Sequence, residues 1–174
     1  MLKNLIIITF SFLLYFNVAK SDELKIVYVD LDLIIQKSIA GKKISKQLNN
    51  LNNNNIKKFK KKEKELADEE NKIIKQKNIT SKEDFEKKAK ILRVSINEFK
   101  KNINLSKNDV QKKRINATNK LLGIINPILA EYSSKNSISF ILHKKTVILG
   151  KTELDITNQI LDLVNKKVET IKLN

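Results

Sequence analysis

The sequence almost lacks the residues that small enzymes and metalloproteins depend on. Of 174 residues, none is cysteine and one, His143, is histidine, which excludes disulfide frameworks, zinc clusters and thiol nucleophiles. The three glycines lie in no G-x-G-x-x-G or G-x-x-x-x-G-K motif, so no phosphate-binding loop is encoded. Proline occurs once, while lysine, leucine, glutamate and isoleucine are common, which favours helix. We therefore expect no enzyme, no metal site and no cofactor.

The first 21 residues have the pattern of a signal peptide. Lys3 provides a positive start, and residues 5–16 form an uncharged, mainly apolar run of 12 residues, shorter than the ~20 residues that span a bilayer. Ala19 and Ser21 satisfy the small-x-small rule for cleavage before Asp22. An uncleaved anchor and a buried helix are the alternatives. The signal peptide interpretation predicts an exported, soluble mature protein.

The excess positive charge is confined to the middle of the chain. Residues 42–120 contain 22 lysines, two arginines and ten acidic residues, a net charge of +14. Residues 22–41 and 121–174 together contain nine lysines and nine acidic residues and are neutral. A lysine-rich genome composition could explain the preference for lysine over arginine, but not this segregation. Such an asymmetry indicates something about partners and solubility rather than about fold.

The same central segment has the periodicity of two long helices. From Phe85, steps of four and three residues reach positions of which eight of ten are apolar, typical of a coiled coil. These positions are Phe85, Ala89, Leu92, Ile96, Phe99, Ile103, Ser106, Val110, Lys113 and Ala117. A weaker upstream series contains Ile44, Leu48, Leu51, Phe59, Leu66 and Ile73. We expect an antiparallel helical hairpin whose turn lies near residues 76–81, with a capping box at Thr80–Glu83 or, in a competing register, at Ser81 and Asp84.

The two ends of the chain predict a small body with about three short strands. Residues 25–30, 138–142 and 146–149 are rich in β-branched and aromatic side chains, and an amphipathic helix begins near Thr157. The predicted fold class is α+β, mainly α: residues 22–41 and 128–174 form the body, and residues 42–127 the arm. A body this small has exposed strand edges, so we expect an obligate oligomer. The strand residues expected at its interface are Ile26, Val27, Tyr28, Val29, Ile138, Phe140, Ile141, Leu142, Val147, Ile148 and Leu149.

In this order and spacing, the features resemble the Skp/OmpH family of periplasmic chaperones. The resemblance includes the export signal, the strand at residues 25–30, the lysine-rich hairpin, Asn126-Pro127-Ile128 and the strand at residues 138–142. It implies a homotrimer whose helical arms surround a cavity. The family holds unfolded outer-membrane β-barrel proteins there without ATP.

Under this interpretation, the arm surface would contact the client. The apolar candidates are Phe59, Leu66, Ile73, Ile79 and Phe85, and the basic candidates are Lys57, Lys61, Lys72, Lys75, Lys77, Arg93 and Lys100. For the apolar set, the alternative is the hairpin seam; for the basic set, it is a solvated helix face. Ile79 stands at the turn and is the strongest candidate for exposure.

Two other functions compete with the chaperone. A structural or adaptor coiled coil of the cell envelope would explain the same helices, and a weak contact with an anionic lipid surface is compatible with either function. A nucleic-acid-binding coiled coil would explain the charge. However, two arginines and no tryptophan provide little for base recognition or stacking, so no specific nucleic acid is expected.

Overall fold

The structure is a computed structural model that describes residues 24–173, so the predicted signal peptide, residues 1–21, lies outside the described residues. In chain order the elements are strand β1 (Ile26–Val29), helix α1 (Leu31–Lys37), helix α2 (Ile39–Lys75), helix α3 (Lys82–Lys135), strand β2 (Phe140–His143) and helix α4 (Thr157–Lys167). Two 3-10 turns, Lys144–Thr146 and Thr152–Leu154, lie between β2 and α4. The predicted fold class, mainly helical α+β, is confirmed.

The two strands form a small parallel sheet. Ile26 lies opposite Phe140, and Val29 lies opposite His143. Parallel strands require a crossover connection, and here the whole helical hairpin is that crossover. The strands predicted at residues 25–30 and 138–142 are therefore present, with their ends shifted by one or two residues.

The predicted third strand, residues 146–149, does not form in the described chain, so this prediction is wrong. After β2 the chain turns, because the Thr146 hydroxyl donates a hydrogen bond to the carbonyl oxygen of His143 at 2.7 Å. On the edge of β1 opposite β2, Asp155 instead forms a single β-bridge with Tyr28. The residues placed outside the sheet by this turn are Val147, Ile148 and Leu149.

The hairpin is formed by α2 and α3, of 37 and 54 residues. At about 1.5 Å per residue, these helices are roughly 55 and 80 Å long. Residues 76–81 join them, and Ser81 caps α3 by accepting a hydrogen bond from the amide of Asp84 at 3.1 Å. The competing register of the capping box is thus the one that forms.

A tight joint separates α1 from α2. Ser38 is fully buried, leaves the helical conformation, and accepts a hydrogen bond from the Gly41 amide at 3.1 Å. Gly41 lies so close to α1 that an added Cβ would be 1.7 Å from the carbonyl oxygen of Ile35. The Asn165 side chain accepts a hydrogen bond from the Ile39 amide at 2.8 Å. The joint therefore fixes the start of the arm against α4.

The hydrophobic core is formed where the bases of the arm helices meet the body. Its largest fully buried apolar side chains come from α1, α2, α3, α4 and β1: Ile34, Leu48, Leu121, Ile125, Ile160, Val164 and Val29. The core thus includes α2 as far as Leu48 and α3 from Ala117 onward. The arm is consequently rooted in the body rather than attached at its edge.

Candidate functional site

The distal part of the arm has its own apolar seam. Leu66, Ile73 and Leu92 are buried there, with Phe85, Ile96 and Phe99 packed against them. The rings of Phe59 and Phe99 meet edge to face, with centroids 6.1 Å apart. Four of the five apolar client-contact candidates (Phe59, Leu66, Ile73 and Phe85) thus lie in the seam. Leu66 and Ile73 are inaccessible to a client in this conformation.

Ile79, the fifth apolar candidate, projects from the tip of the arm. Its side chain is 83% exposed. Hydrogen bonds define the turn at the tip, where the carbonyl oxygen of Gln76 accepts hydrogen bonds from the amides of Ile79 and Thr80, each at 3.1 Å. Lys88 also donates a hydrogen bond to the Gln76 side chain at 2.9 Å. The tip therefore presents one large apolar side chain to solvent on a defined turn.

Polar residues interrupt the middle of the seam. Between the core of the body and the distal cluster, the half-buried positions include Asn55, Ser106 and Lys113. Lys113 is 3.8 Å from Asp109, one helical turn away on its own helix. This part of the hairpin has less apolar burial than either end, so it contributes less to holding α2 and α3 together.

The positive charge of the arm is largely unneutralised. All seven basic client-contact candidates are exposed: Lys57, Lys61, Lys72, Lys75, Lys77, Arg93 and Lys100. Among the described residues, the basic side chains of residues 42–120 that form ion pairs are Lys43 with Glu169 at 3.8 Å, Lys62 with Glu65 at 3.5 Å and Lys113 with Asp109 at 3.8 Å, and none of them is a candidate. The arm is therefore a long cationic surface that remains available for solvent or a partner.

The body has a separate exposed apolar patch. Of the residues expected at an oligomer interface, Val27, Tyr28, Val29 and Ile138 are buried within the chain, and Ile141 and Val147 are partly buried. The members that remain exposed are Ile26 at 40%, Phe140 at 55%, Leu142 at 42%, Ile148 at 103% and Leu149 at 94%. We call these five residues the body patch. Among residues 24–173, β2 has β1 as its strand partner on one side and no strand on the other.

Ion pairs fasten the segment that carries Ile148 and Leu149. The hydrogen bond between Lys145 and Asp32 lowers the pKa of Asp32 and raises the pKa of Lys145. Lys144 lies 2.7 Å from the Asp155 carboxylate, and this hydrogen bond raises the pKa of Lys144. Partial burial opposes ionisation of Asp155, but its hydrogen bonds, with Lys144 among the donors, outweigh burial and lower its pKa. The segment is thus held at both ends while its two apolar side chains project.

One exposed set of apolar residues was missed by the sequence analysis. Ile91, Val94, Leu105 and Ile115 are the exposed large apolar residues of α3 in the described chain, at 49–54% exposure. The seam periodicity from Phe85 does not include them. A second count of three- and four-residue steps, starting from Ile91, would have found them.

In residues 24–173, no helix is both apolar enough and long enough to cross a membrane. In the same range, no three acidic, histidine or cysteine side chains are grouped as a metal site would need.

Comparison with known proteins identifies the family. A search of curated proteins finds no match. A crystal structure from Caulobacter crescentus CB15, described as that of an OmpH-like outer membrane chaperone, superposes with a TM-score of 0.82 at 16% sequence identity; the match covers 92% of this chain and 95% of that one. The family model described as outer membrane protein (OmpH-like) matches residues 25–164. The chain therefore belongs to the OmpH-like outer membrane protein family.

Proposed function

We propose that the protein is a periplasmic holdase chaperone that binds unfolded outer-membrane β-barrel proteins between its helical arms without ATP. The observation that carries the proposal is the arm itself. It is a long hairpin of net charge +14 that buries only a narrow seam and projects from a small body. Membership of the OmpH-like family supports the same function, and the export signal predicted at residues 1–21 supports the periplasmic location.

The physics of the client explains why such an arm is suitable. An unfolded β-barrel exposes alternating apolar side chains and unpaired backbone groups, so it aggregates in water. A holdase without nucleotide must bind it reversibly, through many weak contacts. Exposed charge pairs are worth ~0–1 kcal/mol each, so retention would depend on many contacts acting together. Exposed lysines along the arm and Ile79 at its tip can provide such contacts.

An oligomer is part of the proposal, because one arm cannot enclose a client. The body patch contains five exposed apolar residues, two of them on β2, and in residues 24–173 the edge of β2 opposite β1 has no strand partner. An unpaired strand edge pairs readily with another chain, and projecting apolar side chains favour burial in the same contact. A homo-oligomer joined through the body patch, with a trimer as the expected state, would cover both features and place several arms around one space.

A dilution experiment tests the function. A urea-unfolded outer-membrane β-barrel is diluted into buffer with and without the mature protein, while light scattering and the mass of the complex are measured. We expect scattering to be suppressed at one oligomer per client, and suppression to weaken as salt rises. Unchanged scattering at both low and moderate salt would reject the proposal.

A structural or adaptor coiled coil of the envelope is the alternative function. The same hairpin could tether folded components, and its charge could hold it against anionic lipid. The mass of the complex distinguishes the two, since an adaptor binds folded partners at fixed ratio. A holdase binds one unfolded client per oligomer.

A further inference from the structure

The exposed apolar side chains of α3 lie on one line along the helix. Starting at Lys87, steps of four and three residues pass through all of them, and every position on this line is exposed. The line, which we call the outer stripe, consists of Lys87, Ile91, Val94, Glu98, Lys101, Leu105, Asn108, Lys112 and Ile115. Exposed apolar residues scattered at random would not share one face of a helix.

The outer stripe faces away from the hairpin seam. Each residue turns an α-helix by about 100°, so Val94 lies about 200° around the helix from the seam residue Leu92. The exposed fractions agree, because Leu92 is 6% exposed and Val94 is 50% exposed. Neither α2 nor the body covers this face in the described chain.

We propose that the outer stripe is a docking surface for an extended client segment in which apolar residues alternate with acidic ones. This inference rests on the proposed holdase function and assigns a specific surface to it. Ile91 and Ile115 are 24 positions apart, which is about 36 Å along a helix. One membrane-spanning β-strand of ~9–11 residues, at ~3.4 Å per residue, extends roughly 31–37 Å. The apolar positions of the stripe therefore match the length of one barrel strand.

The charge of the outer stripe favours an acidic partner, and its narrow width favours an extended segment over a bilayer. The stripe contains three lysines and one glutamate, so it has a net positive charge that complements acidic side chains. Its width is a single line of side chains, and beyond Val94 the apolar positions are separated by pairs of polar residues, Glu98 with Lys101 and Asn108 with Lys112. A helix that lies in a bilayer surface needs a broad, continuous apolar face, which the outer stripe lacks.

The test compares substitutions on the stripe with matched substitutions beside it. The apolar stripe variant is Ile91→Gln, Val94→Gln, Leu105→Gln and Ile115→Gln, and its control replaces four exposed asparagines off the stripe: Asn97→Gln, Asn102→Gln, Asn104→Gln and Asn116→Gln. The charge variant is Lys87→Gln, Lys101→Gln and Lys112→Gln, and its control is Lys90→Gln, Lys107→Gln and Lys120→Gln. Circular dichroism checks that helicity is retained. The readouts are suppression of β-barrel aggregation, anisotropy of a labelled 11-residue peptide of alternating valine and glutamate, and co-sedimentation with phosphatidylglycerol vesicles.

We expect the apolar stripe variant to bind the client and the peptide about tenfold more weakly, because four partly covered aliphatic contacts are lost. The charge variant should lose affinity at low salt more than its control does. Equal affinities of stripe and control variants would overturn the inference, while normal holding by the unmodified protein would leave the proposed function intact. Loss of vesicle binding alone would also overturn it and assign the stripe to lipid. If the unmodified protein holds no client, the proposed function itself is rejected, and the inference that rests on it is rejected with it.

Discussion

Gly41 offers the sharpest test of how the arm is attached, because its surroundings leave no room for a side chain. A Cβ at this position would lie 1.7 Å from the carbonyl oxygen of Ile35, 1.3 Å closer than the 3.0 Å below which real Cβ contacts essentially never occur. The obstacle is backbone, so it cannot rotate away. Gly41→Ala therefore requires α1 and α2 to separate or the joint at Ser38 to open.

The expected magnitude follows from two opposing effects. Alanine in a helix is favoured over glycine by ~1 kcal/mol, whereas overpacking typically costs ~1–3 kcal/mol and occasionally more. Because the added Cβ would lie 1.7 Å from a backbone oxygen, we take the cost here as ~3–4 kcal/mol. We expect Gly41→Ala to lower the free energy of unfolding by about 2–3 kcal/mol. Gly123 is the matched control, because nothing lies within 4 Å of its added Cβ. Gly123→Ala should raise the free energy of unfolding by about 0.5–1 kcal/mol.

Urea unfolding followed by circular dichroism measures both variants, at one protomer concentration because oligomer stability depends on it. Opposite signs for the two alanine substitutions are the expected result. If Gly41→Ala is as stable as the unmodified protein, or more stable, the joint does not have the close approach described.

Other parts of the molecule give three further predictions. Leu92→Ala should cost about 2–4 kcal/mol and speed hydrogen exchange in the distal arm but not in the body; equal acceleration in both would contradict the two-cluster arrangement. Ile148→Asp should shift sedimentation equilibrium towards the monomer, whereas Ile79→Asp, which changes an equally large side chain at the arm tip, should not; an unchanged oligomer in Ile148→Asp would remove the body patch as the interface. Because the pKa of Asp32 is lowered from 3.8, its ion pair stabilises the fold above this pH and is lost as pH falls through the lower folded value. Asp32→Asn should therefore weaken the acid dependence of unfolding below pH ~4, and an identical pH profile would show that the pair contributes nothing.

The helical hairpin could be predicted from sequence because its signals are local. Coiled-coil periodicity from Phe85 to Ala117 depends on a repeat of a few residues, and the start of α3 depends on Ser81 and the acidic residues that follow. Such patterns are complete within one or two turns of helix. They do not require knowledge of what packs against the hairpin.

The prediction of a third strand was wrong because a segment becomes a strand only when another strand pairs with it. Residues 146–149 have strand-forming side chains, but the chain turns at His143. The residue that pairs with the free edge of β1 is instead Asp155. Composition cannot show which segment reaches an edge first. The joint at Ser38 has a similar origin, since the need for glycine at position 41 arises from contact with the preceding helix.

Client-contact residues are the hardest to predict from sequence, because the seam and the exposed surface of the arm use the same kinds of side chain. Both Leu66 and Ile79 are aliphatic residues of the arm, yet Leu66 is 6% exposed and Ile79 is 83% exposed. Periodicity correctly indicates an apolar line at Leu66, but cannot say whether a partner helix or a client covers it. Only the position of Ile79 in a turn separates it from the seam on sequence grounds.

Under the proposed function, the distribution of apolar residues would allow a cationic arm to hold its two helices together and still bind a client. A hairpin of this length needs its own seam, and Leu66, Ile73 and Leu92 are buried in forming it. Any surface that binds a client must therefore be additional to the seam and must not drive the arms to collapse onto one another. A few aliphatic side chains interrupted by polar residues, as in the outer stripe, would meet both conditions, because each apolar contact is small and the like charges of neighbouring arms in the proposed oligomer would repel. A denser apolar face would strengthen binding of a client, but it would also favour arm-to-arm association and slow release.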